Sequence, residues 1–156
     1  MTGTAHSTRP RPVRRVLPWF GDPADTGPLA ARTTALDGAF LAALVLLSCA
    51  PYVAGLGFYS DDWAFLAMMH QAGDGYARLV TALMPTGMAT RPVQALEVAG
   101  LYAAFGVDPL GYHIVNSLIL AVTVVLFHLS LRALGFARLP ALLVPLVFGL
   151  LPHYST

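Results

Sequence analysis

Three stretches of this chain are almost purely apolar, and the polar residues gather before and between them. Leu36 to Val53 is the first, interrupted early by Asp37. With its flanks it reaches the roughly 20 residues that cross about 30 Å of hydrocarbon. Pro51, Gly55 and Gly57 mark its far end. Tyr112 to Leu131 is the second, apolar after Ser117 apart from Thr123, His128 and Ser130. Leu139 to Leu151 is the third, and it needs its Phe136 flank to be counted as a span. It contains Pro140 and Pro145, which membrane helices tolerate because neighbours re-satisfy the freed backbone groups. The pattern predicts an all-α integral membrane protein with about three transmembrane helices, near 36–56, 111–131 and 136–153.

Between the first two spans the pattern changes. Residues 58–109 are mixed and repeatedly broken, by Gly73-Asp74-Gly75 and again by Pro85-Thr86-Gly87. Ser60 is placed to cap a helix through Trp63, Phe65, Leu66, Met68 and Met69. Arg91-Pro92 opens a second helix through Phe105, with proline at a tolerated first-turn position, and Gly106 and Pro109 close it. The segment is too polar to span. It reads as a loop of short helices on the membrane surface or against the spans.

Residues 1–34 read as a disordered tail, rich in proline, glycine and threonine and carrying five arginines, at positions 9, 11, 14, 15 and 32. Arg14-Arg15 is not a twin-arginine signal, because Asp22, Pro23 and Asp25 follow where an apolar stretch is required. Arginine placement orients the spans. The tail and the Arg132–Arg138 connection belong in the cytoplasm, and the 58–109 loop, with only Arg78 and Arg91 among several acids, faces outward. The N-terminus is therefore expected inside and the loop outside, in a multi-pass protein of the inner (plasma) membrane.

Composition sharpens this reading. Of 156 residues, 56% are hydrophobic and only 11% charged, against about a quarter charged in soluble domains. A net charge of +1 leaves no basic surface for nucleic acid. The single cysteine, Cys49, lies in an apolar run and has no intrachain partner. All the cations are arginine and alanine is abundant, which hints at a bacterial source. The third apolar run ends at Pro152-His153-Tyr154-Ser155-Thr156 with no polar tail, which suggests the N-terminal piece of a longer membrane protein.

The chemistry concentrates in the outer loop. Asp61 and Asp62 follow Tyr59-Ser60 at the start of a helix. Acids there complement the helix dipole, worth about 0.3–1 kcal/mol each, and that plain role suffices for them. The same pair also suits catalysis. Neighbouring carboxylates beside lipid repel and raise one pKa, which makes a better general base for a hydroxyl nucleophile. They can also hold a divalent cation such as Mg or Mn against a phosphate. Arg91 offers a guanidinium matched to phosphate oxygens, or a structural partner for Glu97 or Asp108. His113 and Asn116 lie a helical turn apart at the entrance of the second span, where they meet headgroups or bind a pyrophosphate or sugar. His128 reads as structural, and His153 sits on the same side as the acid pair. Tyr59, Trp63 and Tyr112 fit an interfacial aromatic belt.

The order "FYSDDWAFL", "TRPVQALEVAGLYAAFGVDPLGYHIVNSLIL" and "FGLLPHYS" resembles the GT-C superfamily of membrane glycosyltransferases, among them the protein O-mannosyltransferases and the aminoarabinose transferases. The resemblance covers Leu36 to the C-terminus. It implies a polyprenyl-phosphate sugar donor and inverting transfer to an acceptor hydroxyl outside the cytoplasm. It implies Asp61 as catalytic base with Asp62 tuning it or helping to bind a metal. Arg91 and His113 would lie near the lipid phosphate. The chain departs from the pattern at Leu120, where members often carry a histidine, and at Ser155-Thr156, where they often carry an acid. It also shows three spans where the family has many more, so on its own it is expected to be inactive. The competing reading is a small non-catalytic membrane protein or assembly subunit whose acid pair only caps a helix. A transporter segment fits less well, because the ionisable groups gather in the loop and not mid-span.

Overall fold

The computed structural model describes residues 28–151, and these form helices and turns with no strand among them. Helix α1 runs Pro28–Gly55, α2 Ser60–Ala72, α3 Tyr76–Leu83, α4 Pro92–Phe105, α5 Pro109–Ala133 and α6 Arg138–Leu150. Two 3-10 turns, Met84–Thr86 and Met88–Thr90, join α3 to α4.

Helices α1 and α5 contain the first two apolar runs, and both are long and apolar enough to cross a membrane. Their 28 and 25 residues extend about 42 and 37 Å at 1.5 Å per residue. Helix α1 begins at Pro28, so Leu29 to Thr34, read from sequence as part of the tail, are helical. The rest of that tail lies outside the described residues. The third apolar run forms a shorter helix. Helix α6 has 13 residues, about 20 Å, less than the hydrocarbon thickness. Gly135, at φ 84°, turns the chain ahead of it, and Pro152 and His153 fall outside the described residues.

The breaks read from sequence end the helices of the loop. Gly73 (φ 73°) and Gly75 (φ 119°) separate α2 from α3, in backbone regions that side chains with a Cβ rarely adopt. Pro92 opens α4. Asp108 caps α5, its carboxylate accepting the Leu110 N–H at 3.0 Å, with Pro109 following as the first helical residue. At α2 the expectation is corrected. Ser60 is the first helical residue and Tyr59 the cap position, and the Tyr59 N–H donates to Asp62 Oδ2 at 2.9 Å.

Two cores result. Leu41, Val45, Ala121 and Val124 lie between α1 and α5, with Leu142 and Leu146 of α6 packed against them. Leu66, Met69, Leu79, Leu83, Met88, Ala95 and Ala99 form a second core among the loop helices, which Tyr112 at the start of α5 joins. Tyr112 is thus no belt residue. It is buried, donates its hydroxyl to the Gly106 carbonyl at 2.8 Å, and packs edge-on against Phe58. Tyr59 and Trp63 are exposed.

Polar ties fix the long helices at both ends. His113 of α5 donates from Nε2 to the Leu56 carbonyl, just beyond α1, at 3.0 Å. At the opposite end Arg138 of α6 grips Asp37 of α1 in a fork, Nη2 to Oδ1 at 2.7 Å and Nε to Oδ2 at 2.8 Å. Leu56 meeting the start of α5, and Asp37 the residues just after its end, makes α1 and α5 antiparallel. His128, fully buried in α5, donates from Nδ1 to the Ala141 carbonyl of α6 at 2.8 Å. It is structural, as its sequence position suggested.

Candidate functional site

The site lies where the loop helices meet the start of α5. Helix α2 presents Asp62, Phe65, Leu66 and Met69 to a shared cavity of about 200 Å³. Their spacing, i, i+3, i+4 and i+7, is one face of a helix. Helix α4 contributes Gln94, Glu97, Val98 and Leu101 at the same spacing. Helix α5 supplies His113 and Asn116, one turn apart. Phe58 and Tyr112 close one side with their rings, 5.0 Å apart and nearly perpendicular.

The sequence-read residues divide here. Asp62, His113 and Asn116 line the cavity. Asp61 and Arg91 are not among its lining residues; both are exposed, as Asp62 and Asn116 also are. Asp61 follows the same helix one position earlier, about 100° around the axis, and so leaves the face that meets the cavity. Arg91 stands at the cap position of α4, before its first turn. Asp62 also serves the helix end, since its Oδ2 accepts the Tyr59 N–H. A carboxylate has two oxygens and about four acceptor sites, so one capping bond does not exhaust it.

Glu97 and Gln94 are the polar lining residues that the sequence reading did not select. Glu97 appeared there only as a structural partner for Arg91. The signal that finds both is the helical face of α4. Once Leu101 is taken as facing inward, positions three, four and seven before it face inward too.

Hydrogen bonding gives the cavity a definite character. The carboxylates of Asp62 and Glu97 only accept when ionised. His113 already uses Nε2–H on Leu56, which leaves Nδ1 as an acceptor in the neutral ring. The amides of Gln94 and Asn116 offer both donors and acceptors. Among the described residues no three His, Cys, Asp or Glu side chains come together as a metal site.

No family model, no curated protein and no solved structure matches this chain.

Proposed function

We propose that this chain is the N-terminal part of a membrane glycosyltransferase of the GT-C kind, moving a sugar from a polyprenyl phosphate to an acceptor hydroxyl outside the cytoplasm. The observation that carries the reading is the convergence of Asp62, His113 and Asn116 on one cavity at the end of two helices long enough to span. Only 22% of the apolar window of α1 and 17% of that of α5 is buried, unlike the core helix of a soluble protein. The polar ties at Asp37 and Leu56 are 19 residues apart along α1, about 28 Å, close to the thickness of the hydrocarbon. Helix α6 is the third, shorter membrane-embedded helix, packed on α1 and α5.

In this reading Asp62 is the general base. It faces the cavity, it bears a negative charge for the acceptor proton, and its capping bond fixes its orientation. The acceptor oxygen attacks the anomeric carbon as its proton passes to Asp62. The bond from that carbon to the phosphate oxygen breaks, and the polyprenyl phosphate leaves with the electron pair. Asp61 sits beside the base as a second negative charge. Arg91, outside the cavity at the α4 cap, is the cation available to the donor phosphate. His113 and Asn116 bind and orient the acceptor.

The bond between Tyr59 N–H and Asp62 favours the second reading, a non-catalytic membrane protein in which the acid is a cap. One substitution separates the two. Asn keeps a carbonyl oxygen able to accept the Tyr59 N–H but takes up no proton. In the full-length protein, Asp62→Asn is expected to keep folding and membrane insertion while transfer falls by about 10²-fold or more, the scale of general-base catalysis. Transfer at the wild-type rate by that variant leaves Asp62 as a cap alone.

A further inference from the structure

The donors and acceptors that line the cavity limit the chemistry it can hold. Two side chains, Asp62 and Glu97, are acidic and accept only, and His113 has already spent its Nε2–H on Leu56. Neither outer-loop arginine, Arg78 nor Arg91, is among the lining residues. A phosphate brings further negative charge and further acceptors, so this lining repels it and gives it few donors. A hydroxylated ring brings several O–H donors, and its C–H face suits the rings of Phe58, Phe65 and Tyr112. The volume, about 200 Å³, is below the ~300–1,000 Å³ of drug-sized ligand sites. It suits one ring-sized unit and not a lipid-linked donor.

We infer that the cavity is an acceptor subsite for an uncharged, hydroxyl-rich unit, and that Glu97, through hydrogen bonds from its hydroxyls, is the residue that selects it. The inference rests on the glycosyltransferase reading for the word acceptor; the chemistry of the ligand rests on the lining alone. It separates two jobs, with hydroxyls inside the cavity and phosphate outside near Arg91.

The test is ligand-observed saturation-transfer NMR on the full-length protein in detergent, with methyl hexopyranosides as probes. The glycoside is expected to bind the wild type and to bind Glu97→Gln about tenfold more weakly, because the amide still accepts a hydroxyl but without the charge that strengthens the bond. An excess of inorganic phosphate, or of glycosylated polyprenyl phosphate, is expected not to displace it. Glu97→Asp and the helix content of each variant guard against a folding defect, and Glu97→Asp should recover part of the affinity. Absence of glycoside binding, equal binding by Glu97→Gln, or displacement by inorganic phosphate overturns the subsite. Displacement by the glycosylated lipid assigns the cavity to the donor and overturns the acceptor assignment. No transfer is measured, so a protein that binds glycoside yet never transfers sugar sinks the proposed reaction and leaves the subsite in place.

Discussion

Asp37 carries a charge into an apolar helix, and its cost depends on Arg138. The Asp37 side chain is 7% exposed, whereas that of Arg138 is 60% exposed. The two partners are therefore unequal. Removing the arginine strands a buried carboxylate, whereas removing the carboxylate leaves a guanidinium that is already largely exposed. Arg138→Ala is therefore expected to lower stability clearly more than Asp37→Ala does. The double variant should match Asp37→Ala, because no charge is then stranded. Unfolding titrations in mixed detergent check this, and equal losses for the two single variants would contradict the asymmetry. The two acids of the pair are likewise unequal. Sequence reading brought Asp61 and Asp62 forward together and ranked Asp61 first on resemblance. The cavity receives Asp62, and a helical turn counted back from Leu66 and Met69 already favours that residue. Asp61→Asn is accordingly expected to slow transfer less than Asp62→Asn, by comparison of initial rates at saturating donor.

At the scale of elements, close approach of helices depends on two glycines in different ways. A Cβ on Gly149 would stand 2.7 Å from a Val124 methyl and 2.9 Å from a Val45 methyl. Both valines are fully buried, so neither can yield. Gly149 thus sets how closely α6 approaches α1 and α5, as small residues do between membrane helices. A Cβ on Gly111 would meet the Phe105 ring, which is partly exposed and can swing outward. Gly149→Ala is expected to cost about 1–3 kcal/mol, the range for overpacking, and Gly111→Ala clearly less, in the same titrations. The elements themselves were readable. The breaks at Gly73–Gly75, Pro85–Gly87 and Gly106 fall where glycine and proline interrupt the pattern. The start of α1 was not readable, because the helix begins in the polar stretch before the apolar run, around Arg32, Thr33 and Thr34; nor was the start of α6, because Phe136 and Ala137 are apolar yet precede it. Glu97 was missed for a related reason. A single acid on an otherwise apolar helix has no marker of direction until a neighbouring helix fixes which face is inside. Tyr112 was misplaced because an aromatic at a span entrance suits a belt and a core equally, and only the packing of Phe58 against it decides.

At the scale of the whole molecule, the fold gathers its candidate chemistry at one end and its charged tie at the other. Cavity, His113 and the loop helices share the end of α1 near Leu56; Asp37, Arg132 and Arg138 share the other. If α1 and α5 cross a bilayer, these ends face opposite compartments, and the arginine-bearing end belongs inside. The proposed reaction requires that arrangement, since its donor is used outside the cytoplasm. Cysteine labelling in intact cells tests it directly. Cys49 of α1 is first replaced by alanine to clear the background. Asp74, exposed between α2 and α3, and Leu134, exposed after α5, are then changed to cysteine one at a time. A charged, impermeant maleimide is expected to label Asp74→Cys in intact cells, and Leu134→Cys only after permeabilisation. The reverse pattern would put Asp62 and its cavity in the cytoplasm, away from the proposed donor. Labelling of both positions without permeabilisation, or release of the protein by alkaline carbonate, would remove the membrane crossing on which that reaction depends.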